Sequence, residues 1–368
     1  MKRDIAGGRR ASYADRMQVA RPVAGTPRQF LSIQYLRALA ALGVVMFHAA
    51  PAETPFMAGN AGVDIFFVIS GFIMWTITEE RPASPAAFLR DRLIRIAPLY
   101  WLLTTLLVVG ALVMPKLFPN LKIDLPYVAG SYLFVPMRPP GATGADPIWP
   151  VLVQGWTLNY EMFFYVLFSI CLFLRPSLRL AALSLTLVCC VIAGLFYNGS
   201  DALVLSFTDP IFLEFLAGIL LGVCLRRSLL PSRAWGYGLV ALGVIVLLGC
   251  AMASVTQPRL LAWGLPAVLL VAGALVIETT GRIPQLPLLR LIGDSSYSLY
   301  LTHGLALSVL GKVMTRSWAF SLVGVIAAIA VGICFWYLIE RRLTAVLRRS
   351  LADPRAGRYG APALSSGT

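Results

Sequence analysis

The chain has 368 residues, 58% of them hydrophobic and 13% charged, with a mean hydropathy of +0.77. A soluble domain is about 45–50% apolar and about 25% charged, so this composition excludes one and calls for an integral membrane protein with many spans. The net charge of +14 is distributed over tails and loops, which argues against nucleic acid as a partner.

Residues 1–30 contain seven Lys or Arg and no apolar core. They read as a disordered basic cytoplasmic tail, not a signal peptide. Ten spans are predicted beyond it: 31–50, 60–78, 97–114, 151–174, 178–197, 209–225, 235–254, 260–277, 291–311 and 318–340. An even number puts both termini on one side. The segments on that side, with Arg179 at the very start of the fifth span, carry 24 Lys or Arg and the opposite segments 6, which makes the first side cytoplasmic. The fold class predicted is therefore an all-α polytopic membrane bundle without internal repeats.

The first span, LSIQYLRALAALGVVMFHAA, carries Arg37 and His48. Eleven residues make close to three turns, so the two side chains share a face, roughly 16 Å apart along the axis. Charged groups in a span are costly and default to a functional reading. The second span contains Asp64, Ser70 and Gly71 in GVDIFFVISGF. In the next inner loop Ser84 and Pro85 form a helix-start signal. Phe88, Leu89, Leu93 and Ile96 then make one stripe and Arg92 and Arg95 another face, which predicts an amphipathic surface helix. The arginine pair suits either a lipid-phosphate anchor or a clamp for a ligand phosphate.

Residues 115–150 form a long outer segment rich in Pro and Gly, in which LPYVAGSYLFV is placed at or within the interface. The fourth span brings Gln154, Asn159 and Glu161 in from outside, with Glu161 near the midplane. Spans five to eight are plainer. Glu214 is expected to be a structural ion-pair partner, and Asn198–Ser200 matches a glycosylation sequon. The six cysteines lie in apolar runs and read as packing residues. The ninth span holds Asp294, Ser295, Ser296, Tyr297, Ser298, Tyr300, Thr302 and His303, a strip that must face protein or water. His303 lies at a depth comparable to His48, and these are the only two histidines. Residues 341–368 read as a second basic cytoplasmic tail.

These residues outline a path from guanidiniums at the inner mouth to a histidine further out. The arginines call for an anionic, phosphate-bearing ligand, and a neutral histidine can take a proton from a hydroxyl. Acyl-CoA fits, because its pantetheine arm spans on the order of 15–18 Å. An orienting carboxylate for His48, either Glu161 or Asp64, is expected. Ser70, Asn159 or a ninth-span hydroxyl is the expected oxyanion donor.

Arg37 with His48, FFVISGF at 66–72, R-L-I-R at 92–95, GWTLNYEMFFY at 155–165 and SSYSLYLTH at 295–303 stand in one order. In that pattern the chain resembles the acyltransferase 3 family of membrane O-acyltransferases, especially members that acetylate bacterial exopolysaccharides. The resemblance implies a transmembrane acyltransferase domain over 31–340 in a bacterial inner membrane. It implies acyl transfer, acetyl above all, from cytoplasmic acyl-CoA to a carbohydrate hydroxyl. By the same resemblance Arg37 and His48 are the essential pair and Arg92 and Arg95 belong to the donor site, where Ser70 is also placed. Glu161 and His303 complete the catalytic candidates. Some relatives carry a C-terminal hydrolase-like domain. None follows here, so transfer is expected to finish within the membrane domain.

Expected partners are acyl-CoA as donor substrate, a free or lipid-linked carbohydrate acceptor, membrane lipids and, as an assembly option, a second copy in a homodimer. No resident cofactor or metal is expected. The competing class is a transporter or flippase for a glycan or anionic metabolite, since intramembrane charge marks those proteins too. Absence of repeats and the inner arginine pair count against it.

Overall fold

The computed structural model describes residues 30–51, 55–144 and 146–351. The expected tail up to residue 29 and residues 352–368 of the expected C-terminal tail lie outside the described residues. Every element described is helical. They are α1 (Leu31–Ala49), α2 (Gly62–Glu80), α3 (Pro85–Val113), α4 (Leu125–Tyr132), α5 (Trp156–Cys171), α6 (Pro176–Leu195), α7 (Ala202–Phe207), α8 (Phe212–Arg226), α9 (Arg233–Met252), α10 (Leu265–Thr280), α11 (Pro287–Asp294), α12 (Ser296–Leu310), α13 (Trp318–Phe335) and α14 (Arg341–Ser350). A 3-10 helix, Pro55–Ala61, leads into α2, and π-helical turns precede α10 (Leu260–Gly264) and α14 (Trp336–Glu340).

Among the described residues, eight helical runs are long and apolar enough to cross a membrane. The stretches predicted as spans four and nine form shorter helices. Residues 151–155 enter as a bend and a 3-10 turn, so α5 has only 16 residues. The ninth stretch breaks at Ser295 into α11 and α12. Gln154 packs its amide against Gly304, where a Cβ would collide with it, and this contact seats the entry to α5 on α12.

The predicted surface helix is not separate. Ser84 accepts from the Ala87 amide and Pro85 opens the helix, as its sequence signals. The helix then runs on through Pro98 to Val113. A proline inside a buried membrane helix is tolerated because packed neighbours sustain the turn. At 29 residues α3 is about 43 Å long, more than the roughly 30 Å hydrocarbon thickness. Arg92 and Arg95 therefore stand near the N-terminal end of a helix long enough to cross.

Helix α1 is central and packs against α2, α10, α11, α12 and α13. Its start is fixed by Glu278 at the end of α10, whose carboxylate accepts from the Leu31 and Ser32 amides, each at 2.9 Å. These amides have no intrahelical partner, and an acid at a helix N-terminus also meets the positive end of the dipole. The polarity of the bundle suits lipid. Leu112, Leu195 and Phe196 are exposed, while Asp64, Glu214 and His303 are enclosed. Outside the bundle, Arg138 binds the carbonyls of Gly144, Asp146 and Ser200. Asp146 accepts from the Thr143 amide and hydroxyl, which holds its carboxyl below the usual range.

Helices α2 and α8 meet backbone to backbone. A Cβ on Gly71 would strike the Phe215 carbonyl, and one on Gly218 the Val68 carbonyl. Small residues give membrane helices this close approach. Gly71→Ala is expected to destabilise the protein by about 1–3 kcal/mol through overpacking. Gly238→Ala, with open space at that position, is the control. Thermal unfolding in detergent, followed by tryptophan fluorescence, measures the difference.

Candidate active site

A cavity with an empty volume of about 810 Å³, part of it open to solvent, lies among α1, α2, α3, α5 and α12. Arg37, Arg92, Arg95, Ser70 and Glu161 all line it, joined by Tyr165, Ser296, Tyr297, Tyr300 and Thr157. Three guanidiniums thus face one carboxylate across an apolar wall that includes Phe66, Phe67 and Ile73.

Arg37 is held by Ser296, whose Oγ accepts from Nε at 3.2 Å and Nη2 at 2.9 Å. Glu340, Asp294 and Glu161 are within electrostatic reach, and so is Arg95. The Arg92 Nε is buried without a hydrogen-bond partner among the described residues. Its guanidinium lies 6.0 Å over the Phe88 ring. A buried, unsatisfied cationic donor at a cavity wall is the kind of group that an anionic ligand would satisfy. Glu161 accepts from Ser70 at 3.1 Å and makes a short bond with Tyr165, so Ser70, Glu161 and Tyr165 form one network.

The two histidines come together, as their matching depths predict, with ring centroids 5.0 Å apart. They do not line the cavity. Tyr300, which does, lies between. Its ring is 5.8 Å from that of His303, and its hydroxyl pairs with Thr157 at 3.1 Å. His303 is fully buried, whereas His48 is exposed at the opposite mouth. Each imidazole uses Nδ1 on a backbone carbonyl: His48 on Val44 at 2.9 Å, His303 on Tyr300 at 2.6 Å. A carbonyl can only accept, so both rings carry the proton on Nδ1 and leave the Nε2 lone pair free. The His303 Nε2 is buried and without a partner.

Among the described residues, neither carboxylate expected to orient His48 does so. Asp64 is taken by Arg259 at 2.6 Å, and Glu161 belongs to the Ser70–Tyr165 network on the cavity wall. A helix carbonyl one turn back orients the imidazole instead. Glu214, expected to be structural, is buried within electrostatic reach of Asp64 and Arg259. Asn159 is buried but does not line the cavity.

Sequence reading missed Glu340 and Tyr165 and did not single out Ser296, Tyr300 or Thr157. Glu340 ends the π-helical turn before α14, is buried and accepts from Ser298 at 2.6 Å. Its signal, an acid at the C-terminal end of a predicted span, is masked by the arginines after it. Tyr165 stands one helical turn beyond Glu161, a spacing that brings side chains together.

Residues 30–341 match the profile of an acyltransferase domain. The chain belongs to the acyltransferase 3 family. It is 42% identical over 315 residues to the exopolysaccharide production protein ExoZ of Rhizobium meliloti (strain 1021), covering 84% of this chain and 96% of that protein. It is 28% identical over 332 residues to BcsY of Komagataeibacter xylinus, which carries the name of a membrane-bound transacylase, covering 84% of this chain and 81% of that one. No solved structure matches. Family membership makes the chain an acyltransferase, and with its apolar helices an integral membrane one.

For this acyltransferase, Ser296→Ala removes both hydrogen bonds to Arg37. A bond to a charged group contributes about 1.5–3 kcal/mol, so kcat/KM is expected to fall about tenfold to a hundredfold while the protein still folds. Steady-state kinetics on purified protein would check this.

Proposed function

We propose that the chain is an O-acyltransferase of a bacterial inner membrane that moves an acyl group, acetyl above all, from cytoplasmic acyl-CoA to a carbohydrate hydroxyl of an exopolysaccharide or another surface glycan. One observation carries the donor reading: three guanidiniums and one carboxylate line a single cavity, with the Arg92 Nε unsatisfied. Such a lining favours a ligand bearing several phosphate charges at one end and an apolar, amide-containing arm at the other. The glycan reading is supported by similarity to ExoZ, named for exopolysaccharide production.

In this reading Arg92 and Arg95 take the donor's phosphates, and its thioester arm runs outward past Arg37 and Ser70 toward Tyr300. The His48 Nε2 removes the hydroxyl proton. The oxygen attacks the thioester carbonyl, forming the C–O bond. The intermediate collapses with cleavage of C–S, and the departing thiolate takes the proton from the imidazolium. Tyr300 must swing from Thr157 for the carbonyl to reach the histidine, and its hydroxyl then serves as the oxyanion donor. His303 backs the reacting ring. Both termini are cytoplasmic, which puts Arg92 and Arg95 on the side where acyl-CoA is found and His48 on the other.

Labelled acetyl-CoA supplied to inside-out vesicles with an endogenous glycan is expected to pass its label to the glycan. Intact thioester accumulating in the lumen would instead identify a carrier. His48→Ala should abolish transfer in protein that still folds, and normal transfer in that variant refutes the assignment. Arg92→Ala and Arg95→Ala should each raise the KM for acyl-CoA about tenfold or more, as expected for loss of a charge-assisted bond. Protease access to an N-terminal tag, from inside and outside, checks the orientation.

A further inference from the structure

The acyl-transfer reading, on which this inference rests, brings an acceptor hydroxyl to the exposed His48 but names no residue that binds the rest of the acceptor. Residues 311–317 join α12 to α13 and lie over this end of α1. Arg316 Nη1 donates to the His48 carbonyl at 3.4 Å, and its guanidinium lies 5.8 Å over the buried ring of Phe320. Ser321 Oγ donates to the Ala49 carbonyl at 2.9 Å, fixing the first turns of α13 against the same helix end. One turn outward from Ser321 stands Trp318. It is 61% exposed, with its ring 6.1 Å from that of Phe56 on the 3-10 helix.

Capping the C-terminus of α1 accounts for part of Arg316, since a cation is favourable there. It uses one of five guanidinium N–H groups, and the side chain is exposed. Among the described residues no carboxylate lies within ion-pair distance of Arg316. Lys312, four residues earlier, is likewise exposed and donates to the Leu117 carbonyl at 3.2 Å. The rim beside the candidate base therefore combines a planar cation braced on a buried ring, a second cation and an exposed indole face. A guanidinium matches a carboxylate or phosphate in two-pronged geometry, and an aromatic face packs the apolar side of a ring.

We propose that Arg316 and Trp318 form an acceptor subsite beside His48 that binds an anionic glycan: the sugar ring lies on Trp318 and its carboxylate or phosphate on Arg316. The anion sets which hydroxyl faces the His48 Nε2. The same chemistry has two sources, a carboxylated sugar within the glycan or the phosphate that links a growing glycan to lipid.

Binding and transfer are measured separately on full-length protein in detergent. The probes are a carboxylated surface-glycan oligosaccharide freed of acyl groups, its carboxyl-reduced form, and a neutral sugar on a lipid diphosphate. The wild type should bind the carboxylated form, or the lipid diphosphate, at least about tenfold more tightly than the reduced one. Arg316→Gln, which keeps a donor for the His48 carbonyl but no charge, should erase that preference and raise acceptor KM while donor KM stays unchanged. Arg316→Lys should retain part of it, and Trp318→Ala should weaken every probe. Whichever anionic probe is preferred identifies the source of the charge. Equal binding of all three by the wild type, or a preference unchanged in Arg316→Gln, overturns the subsite. Preferential binding without label transfer would leave the subsite standing and refute the acyl-transfer reading instead.

Discussion

A guanidinium inside an apolar bundle is the constraint that orders this protein. Arg37 cannot remain within α1 unless the helices around it supply polar partners. Ser296 supplies two hydrogen bonds, and Glu340, Asp294 and Glu161 supply opposite charge. Meeting that need sets α12 against α1 and brings Glu161 of α5 and Glu340 of the turn before α14 within electrostatic reach. The cavity wall is the result. Helix α1 is fixed at its other requirement too, because Glu278 satisfies the amides at its start. The register that places Arg37 on the cavity also places His48 at the far mouth.

Helix α12 serves the arginine cluster and the histidine pair in turn. Ser296 faces the arginines, Tyr300 closes the cavity, and His303 stands against His48. These positions are four and three residues apart, close to one turn each, so a single helical stripe spans the whole route. That spacing explains why the ninth stretch is so polar for a membrane helix.

Much of this was legible in the sequence because membrane physics penalises polar groups without a purpose. Arg37, Ser70, Arg92, Arg95 and Glu161 were each conspicuous in apolar surroundings, and all line the cavity. The two histidines were paired from depth alone. What stayed hidden depends on helix geometry that hydropathy does not encode. At the break Ser295 turns its hydroxyl back on the Leu291 carbonyl, and the 3-10 entry to α5 seats Gln154 against Gly304. Glu340 ends a π-helical turn, is buried and lies within electrostatic reach of Arg37 and Arg95. The partner of His48 could not be guessed either, since backbone carbonyls leave no mark on composition, while Asp64 was already claimed by an arginine 195 residues away in the chain.

The Thr157–Tyr300 pair acts as a latch. It stands on the cavity wall with the Tyr300 ring beside His303, so a ligand arm that runs from the arginines to the histidines has to open it. Unfastening one such hydrogen bond costs about 0.5–1.5 kcal/mol, a small barrier beside that of breaking a thioester.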